Sequence, residues 1–332
     1  MRWFKIAYLL LGLALLAAVL WQIEMRTVLD MAVRVGLLGM AVVLLVYLAA
    51  FVIDSLTWQM AIQSAPLNLR WLYRAWKVRM VGEVFNNVIP AGGFGGEPVK
   101  AVLLKKYYGI GYREGTASLI LGKTVNMVSL ILFLAGGFVL VLGAPALPVA
   151  YKTVAGAGLA ALCLGVVLFF LIQRFRVASL AGTWLGGRRL GRRIAEVLHL
   201  VRDMDERLVR FYTAHRARFV AAVLLALVNW LLGVVEIYAI MIFLGHPVTL
   251  ADAWIVEALV QLVRAGAFVI PAGIGAQEGV FMLVFTAMTG SPDLGVAAAL
   301  VRRCREVIWL LWGALLGSLF SLAPEHAGAG TK

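Results

Sequence analysis

Charge is scarce in this 332-residue sequence. Asp, Glu, Lys and Arg make up 14% of it, 63% is hydrophobic, and the mean hydropathy is +0.94. That balance excludes an ordinary soluble enzyme. Cysteine is scarcer still: Cys163 and Cys304 both fall in apolar stretches, which excludes a disulfide framework and a thiolate metal cluster. The four histidines, His199, His215, His246 and His326, lack any paired spacing for a metal. No P-loop, serine elbow or zinc motif occurs, so no cofactor is expected. What charge exists has one dominant sign, 30 Lys and Arg against 17 Asp and Glu, for a net +13. In a soluble protein this would suggest nucleic acid. Among long apolar runs it means basic residues held on the cytoplasmic side beside anionic lipid, and no nucleic-acid partner is expected.

A membrane-crossing helix needs about 20 apolar residues. The run at 6–21 follows Arg2 and Lys5 and resembles a signal peptide, but without a small-residue cleavage site it reads as a retained first helix. Further runs at 36–53, 116–142, 149–172, 219–244 and 295–319 bring the expected crossings to six. With a cytoplasmic amino terminus, 22 of the 30 basic residues fall inside and only Arg26, Arg34 and Lys152 outside. Both termini are therefore expected in the cytoplasm, and the membrane to be a bacterial-type inner (plasma) membrane. The linker from Arg174 to Arg218 holds 11 Arg and no Lys. Its Ile194, Val197, Leu198, Val201, Met204, Leu208 and Phe211 recur at helical spacing, predicting an amphipathic helix on the inner leaflet. It reads either as a solvated connector or as a platform for a cytoplasmic lipid-biosynthesis enzyme.

Two stretches are neither clean spans nor loops, and they share their words. Residues Val88 to Gly92 repeat as Val269 to Gly273, and Glu97 recurs as Glu278, all at one offset of 181 residues without a gap. The same offset pairs Pro66 with Pro247, Leu69 with Leu250, Ala117 with Ala298, Leu134 with Leu315 and Gly136 with Gly317. This is the mark of an internal duplication. Pro90 and Pro271 with the glycines after them, Gly92, Gly93, Gly95 and Gly96 in one copy and Gly273 and Gly275 in the other, stop a helix and let the chain turn. The arm after the first break, Glu97 to Tyr108, reaches about 18 Å, half a bilayer. Each copy thus reads as a span, a re-entrant broken hairpin and a span. Three crossings separate equivalent points, so the hairpins enter from opposite faces. The predicted fold is an all-α polytopic membrane protein with six full spans and two re-entrant hairpins in an inverted-topology repeat. Its parts are a first helix and external segment (1–35), repeat 1 (36–142, tip 90–96), a connecting span and Arg-rich helix (143–218), repeat 2 (219–321, tip 271–277) and a tail (322–332).

Helices starting at Glu97 and near Glu278 would aim free N–H groups and a positive dipole end at the membrane centre, where a phosphate could bind. Alternatively both glutamates simply cap their helices. Charges inside a bilayer are costly and functional by default. Lys123 in the first copy and Arg302, Arg303, Arg305 and Glu306 in the second lie at similar depth, with Arg264 and Lys100 on the hairpin arms. Glu257 shares the second hairpin's entry arm with Arg264, and Glu83 lies on the first hairpin with Lys100. The cations suit an anionic lipid head group, with Arg able to grip phosphate through two N–H groups. Ion pairing of Arg305 or Arg302 with Glu306 or Glu278 is the competing account. Asp54 and Glu236 read as near-interfacial or buried, with no role assigned.

The words around both breaks, Gly82, Glu83 and Asn87 before Pro90, then Gly95, Gly96, Glu97 and Lys100, and the segment from Pro271 to Glu278, resemble the transmembrane domain of lysylphosphatidylglycerol synthases. The wider flippase-like family includes a hopanoid-associated branch and the membrane part of glycosylation proteins acting on dolichol-linked sugars. The resemblance covers nearly the whole chain. It implies translocation of a polar lipid between leaflets, with the broken hairpins at the substrate path. Aminoacylating relatives add a soluble synthase domain, so transport without enzymatic activity is expected. Two alternatives stand beside it: an intramembrane enzyme using Glu97 and Glu278 as acid and base, and a scaffold for a separate enzyme.

Overall fold

The computed structural model describes residues 33–88, 95–174, 215–266 and 275–320, together with Arg26 and Asp30. Among the described residues there are nine helices and no strand: α1 (Gly36–Ala61), α2 (Leu69–Val88), α3 (Glu97–Tyr108), α4 (Tyr112–Gly143), α5 (Val149–Arg174), α6 (Arg216–Phe243), α7 (Leu250–Gly266), α8 (Ala276–Thr289) and α9 (Pro292–Ser318). The expected first helix at 6–21, the breaks at Pro90, Gly92, Gly93, Pro271 and Gly273, most of the Arg-rich linker helix and the tail at 322–332 lie outside the described residues.

Among the described residues, four helices are long and apolar enough to cross a membrane: α1, α4, α6 and the Val149–Leu168 part of α5. Helix is the form such segments must take, because lipid offers no partner to a free N–H or C=O. Their outer faces carry exposed Leu37, Leu45, Leu132 and Leu224, the side chains that lipid would solvate. The sixth expected span, α9, has 27 residues and thus the length, about 40 Å. Arg302, Arg303, Arg305 and Glu306 at its middle deprive it of the composition. It solves this by turning Arg302 and Arg305 inward, only 2% and 4% exposed, while Leu311 and Leu315 face out.

The 181-residue spacing recurs in the helices themselves. Shifting α1 to α4 by that number lands on α6 to α9 within about three residues at every described boundary except the end of α9. Left-handed glycines close α3 and α8 at equivalent places, Gly109 (φ 71°) and Gly290 (φ 76°). Packing recurs as well: α2 lies on α9 as α7 lies on α4, and α1 packs on α2 as α6 on α7. The two units meet along α1 and α6, which run antiparallel. Arg218 at the start of α6 donates to the Ile62 carbonyl just past the end of α1 (3.3 Å), and Gly39 near the start of α1 abuts Phe243 at the end of α6.

Each short pair of helices is drawn tightly together. Asn86 Oδ1 on α2 accepts from the Gly96 N–H at the start of α3 at 2.7 Å. A Cβ at Gly96 would stand 1.9 Å from the Gly82 carbonyl oxygen, so this approach requires glycine. The α2 and α3 pair has its far end by the end of α9, where Tyr107 meets Phe320 at 4.9 Å. The α7 and α8 pair has its far end by the end of α4, where Val139, Ala251 and Met288 line one cleft. An apolar core from α4, α6, α7, α8 and α9 supports the middle, with Phe133, Ile237, Ile240, Met241 and Phe281 fully enclosed.

Candidate functional site

The charges that sequence left stranded in apolar helices converge in the interior. On α9, Arg302, Arg305, Glu306 and Trp309 follow i, i+3, i+4, i+7 spacing and share a face. That face looks onto a cavity of about 240 Å³ closed by Tyr47 on α1, Glu83 and Asn87 on α2, Trp230 and Glu236 on α6, and Glu257, Gln261 and Arg264 on α7. Arg302 Nη2 reaches Glu257 Oε2 at 2.7 Å and its Nε lies 3.4 Å from Glu236 Oε1. Arg305 bonds the other oxygen of Glu236 and lies 3.5 Å from Glu306. Arg303 links Glu306 (2.8 Å) to Glu278 (2.6 Å), and Arg264 stands 4.0 Å from Glu306.

Four arginines thereby face four glutamates. Neutrality is what the location demands, since an unpaired charge shielded from water is far costlier than a paired one. Glu236 and Glu257 are 2% and 1% exposed, so their partners are not optional. Gly233 makes room for Glu257: a Cβ there would lie 2.8 Å from Glu257 Oε1, which instead accepts from Gln261 Nε2 at 2.7 Å. Tyr47 lies flat under Arg305, its ring centre 3.8 Å from the guanidinium carbon. The network is balanced in charge yet incomplete in hydrogen bonds. Among the described residues, Arg302 Nη1, Arg305 Nε and Trp309 Nε1 are buried N–H donors without an acceptor, all on residues of the cavity wall.

A second, smaller polar cavity of about 50 Å³ lies among α1, α2, α3 and α4. Here Arg79 pairs with Asp54, Asn126 Nδ2 lies 3.4 Å from Asp54 Oδ1, and Glu97 Oε1 receives Lys100 (2.9 Å) and Lys123 (3.5 Å). Lys100 is buried, its stem laid across Gly82 so closely that a Cβ there would meet it at 2.3 Å. Glu83 lines both cavities.

The residues expected from sequence are therefore divided. Arg264, Arg302, Arg305 and Glu306 line the larger cavity; Arg303 and Glu278 join its network from beside it; Glu97, Lys100 and Lys123 belong to the smaller one. Glu278 caps its helix, accepting from the Gly275 N–H at the start of α8 (2.8 Å) through one oxygen, and its other oxygen accepts from Arg303, not from the Arg302 or Arg305 named as its expected partners. Gly95 and Gly96 stand in the turn entering α3. The sequence placed Glu83 and Glu257 on the hairpin arms without counting them in the site, gave Asp54 and Glu236 no role, and did not single out Tyr47 or Arg79. Asp54 and Glu236 did carry a signal, because a lone carboxylate within an apolar span must find a cation somewhere in the fold.

Comparison with known proteins agrees with this architecture. A UPF0104 membrane protein of Methanothermobacter thermautotrophicus is 26% identical over 318 residues, 89% of each chain. A UPF0104 membrane protein of Pyrococcus horikoshii is 22% identical over 318 residues, covering 90% of this chain and 92% of its own. No solved structure matches the chain. The model of the lysylphosphatidylglycerol synthase TM region matches residues 6–314, and on that evidence this multi-pass membrane protein belongs to that family.

Proposed function

We propose that the protein is a lipid transporter that carries a polar, anionic lipid between leaflets, its head group passing through the central cavity. The observation that carries this reading is the charge network at the cavity: Arg264, Arg302, Arg305, Glu236, Glu257 and Glu306 on the wall, joined from beside it by Arg303 and Glu278, with three buried N–H donors on wall residues lacking an acceptor among the described residues. A phosphate or carboxylate entering there comes beside Arg264, Arg302 and Arg305 without any arginine having to be brought in from elsewhere. A network whose partners can be exchanged one at a time is also one that can release its ligand.

The recurrence of helix boundaries at 181 residues, the antiparallel α1 and α6, and the placement of the two short helix pairs toward opposite ends support an inverted-topology repeat. Such repeats work by rocking one unit against the other around a fixed central site. On this reading the breaks at Pro90 and Pro271 are hinges, the chain crosses six times in a plasma membrane, and both termini are cytoplasmic. An enzyme using Glu97 and Glu278 as acid and base draws less support, since each glutamate is committed to its own cations in a separate group.

Reconstitution in liposomes with fluorescent anionic lipids and a dithionite quench tests the proposal. Faster transfer than in protein-free vesicles is expected, as is its slowing by Glu236→Gln in folded protein. A panel of anionic and prenyl-phosphate lipids with no acceleration overturns it. Modification of lipid detected by mass spectrometry would favour the enzyme instead.

A further inference from the structure

The two units differ most at the far ends of their short helix pairs. Beside α7 and α8 lies a cleft of about 430 Å³, lined by Val139, Leu140, Ile255, Val256, Phe285 and Met288 among others. That is within the ordinary range of small-ligand sites, about 300–1,000 Å³. Ile255, Val256 and Phe285 form a buried floor, and Val139 stands exposed at the rim. One charged side chain lines it, Asp252, and its carboxylate is already engaged at the start of α7: Oδ2 accepts from Thr249 N (3.1 Å) and Thr249 Oγ1 (2.7 Å).

In the first unit the equivalent positions are filled. Trp71 stands where the second unit has Asp252, Arg74 where it has Ile255, Tyr107 and Tyr108 where it has Met288 and Thr289, and Phe320 where it has Val139. Trp71 packs on Tyr108 at 5.9 Å and Tyr107 on Phe320 at 4.9 Å, while Arg74 lies over both Trp71 (4.9 Å) and Tyr108 (5.2 Å). One scaffold therefore carries a plug at one end and a cleft at the other.

We infer that the cleft formed by α4, α7 and α8 holds one alkyl chain of a membrane lipid. This deepens the transporter reading and rests on its topology, under which the cleft opens toward the outer leaflet and the plugged end faces the cytoplasm. Within lipid no hydrophobic drive separates one apolar surface from another, so packing decides. An empty cleft forfeits the dispersion contacts of its whole lining, and a flexible chain restores them where a rigid side chain is missing. The head group of that lipid sits by Lys152, whose Nζ is held on the Leu142 carbonyl (3.1 Å), one residue from Gly143 on the rim.

Photo-crosslinking separates this site from transport itself. The full chain is reconstituted with phosphatidylglycerol bearing a diazirine on one acyl chain, irradiated, digested, and the adducts are mapped by mass spectrometry. Adducts concentrated in 139–146, 248–256 and 285–289 are expected. Met288→Tyr with Thr289→Tyr, which copies the first unit's rings into the second, lowers them about tenfold, a loss equivalent to roughly 1.4 kcal/mol in occupancy. Ala251→Trp, at the exposed rim, gives the same loss should the double variant fail to fold. Lys152→Gln weakens the adducts for phosphatidylglycerol but not for phosphatidylcholine. Adducts spread evenly over all lipid-facing helices, a pattern unchanged by both fillings, or crosslinks joining two copies of the chain would overturn the inference. Localised adducts without lipid transfer would instead leave the cleft standing and bring down the transporter reading.

Discussion

The two repeat units share a backbone plan and almost none of their polar side chains. Glu97 and Glu278 occupy the same position at the start of equivalent helices, yet the first meets Lys100 and Lys123 and the second meets Arg303. At the 181-residue offset, Lys100 corresponds to Phe281, Lys123 to Cys304, and Arg303 to Gly122. The carboxylate stayed and its cations moved. Likewise Glu236 corresponds to Ser55 and Arg302 to Leu121, so the central network has no image in the first unit. What the two units have in common is where their described helices begin and end and where they touch. The charges were free to diverge, provided each found a partner.

The sharpest way to break this comparison is to disturb the second unit's network. Arg302→Met leaves Glu236 and Glu257 buried with one cation fewer, and such a loss costs about 3–5 kcal/mol. It should appear as a large fall in the thermal unfolding midpoint of detergent-solubilised protein, partly recovered when Glu257→Gln is added. A midpoint unchanged by Arg302→Met would mean that the network does not hold the fold.

An intermediate effect is expected from the shared position. Glu278→Gln weakens both a helix cap and a charged contact to Arg303, a loss of roughly 1.5–3 kcal/mol. Glu97→Gln should cost less, because Glu83 lines the same small cavity and remains near Lys100. Parallel unfolding curves compare the two, and equal costs would show that the units are more alike than their partners suggest.

The smallest effect belongs to Lys123→Met. Its side chain is 42% exposed, and exposed pairs are worth at most about 1 kcal/mol. A shift of the midpoint as large as that of Arg302→Met would reveal a function for Lys123 in folding that its geometry does not suggest.

Much of the helical plan was legible in the residues. Glu97 to Tyr108 was expected as a short arm and is α3 to the residue; the five expected spans within the described residues each fall on a described helix. These features depend on neighbours in sequence: apolar runs, helix breaks, and a repeat visible at one offset. The site was legible only in part. Arg302, Arg305, Glu306 and Arg264 were singled out because each is a charge in an apolar setting, but Glu236 and Glu257, which complete the group, were noticed without being joined to them. Glu236 precedes Arg302 by 66 residues and Glu257 lies on a different helix again, so nothing local joins them. The contrast between a plugged end and an open one was equally hidden, since ring against ring is decided by packing.

Composition and the placement of charge determined, without any coordinates, that this chain lives in a membrane as a bundle of helices. Lipid permits few ways to satisfy a backbone, so local sequence suffices for that much. Which glutamate neutralises which arginine, and which end of the bundle is filled, was decided by the tertiary structure alone. Both depend on side chains from distant segments meeting in a space that exists only after the helices have packed.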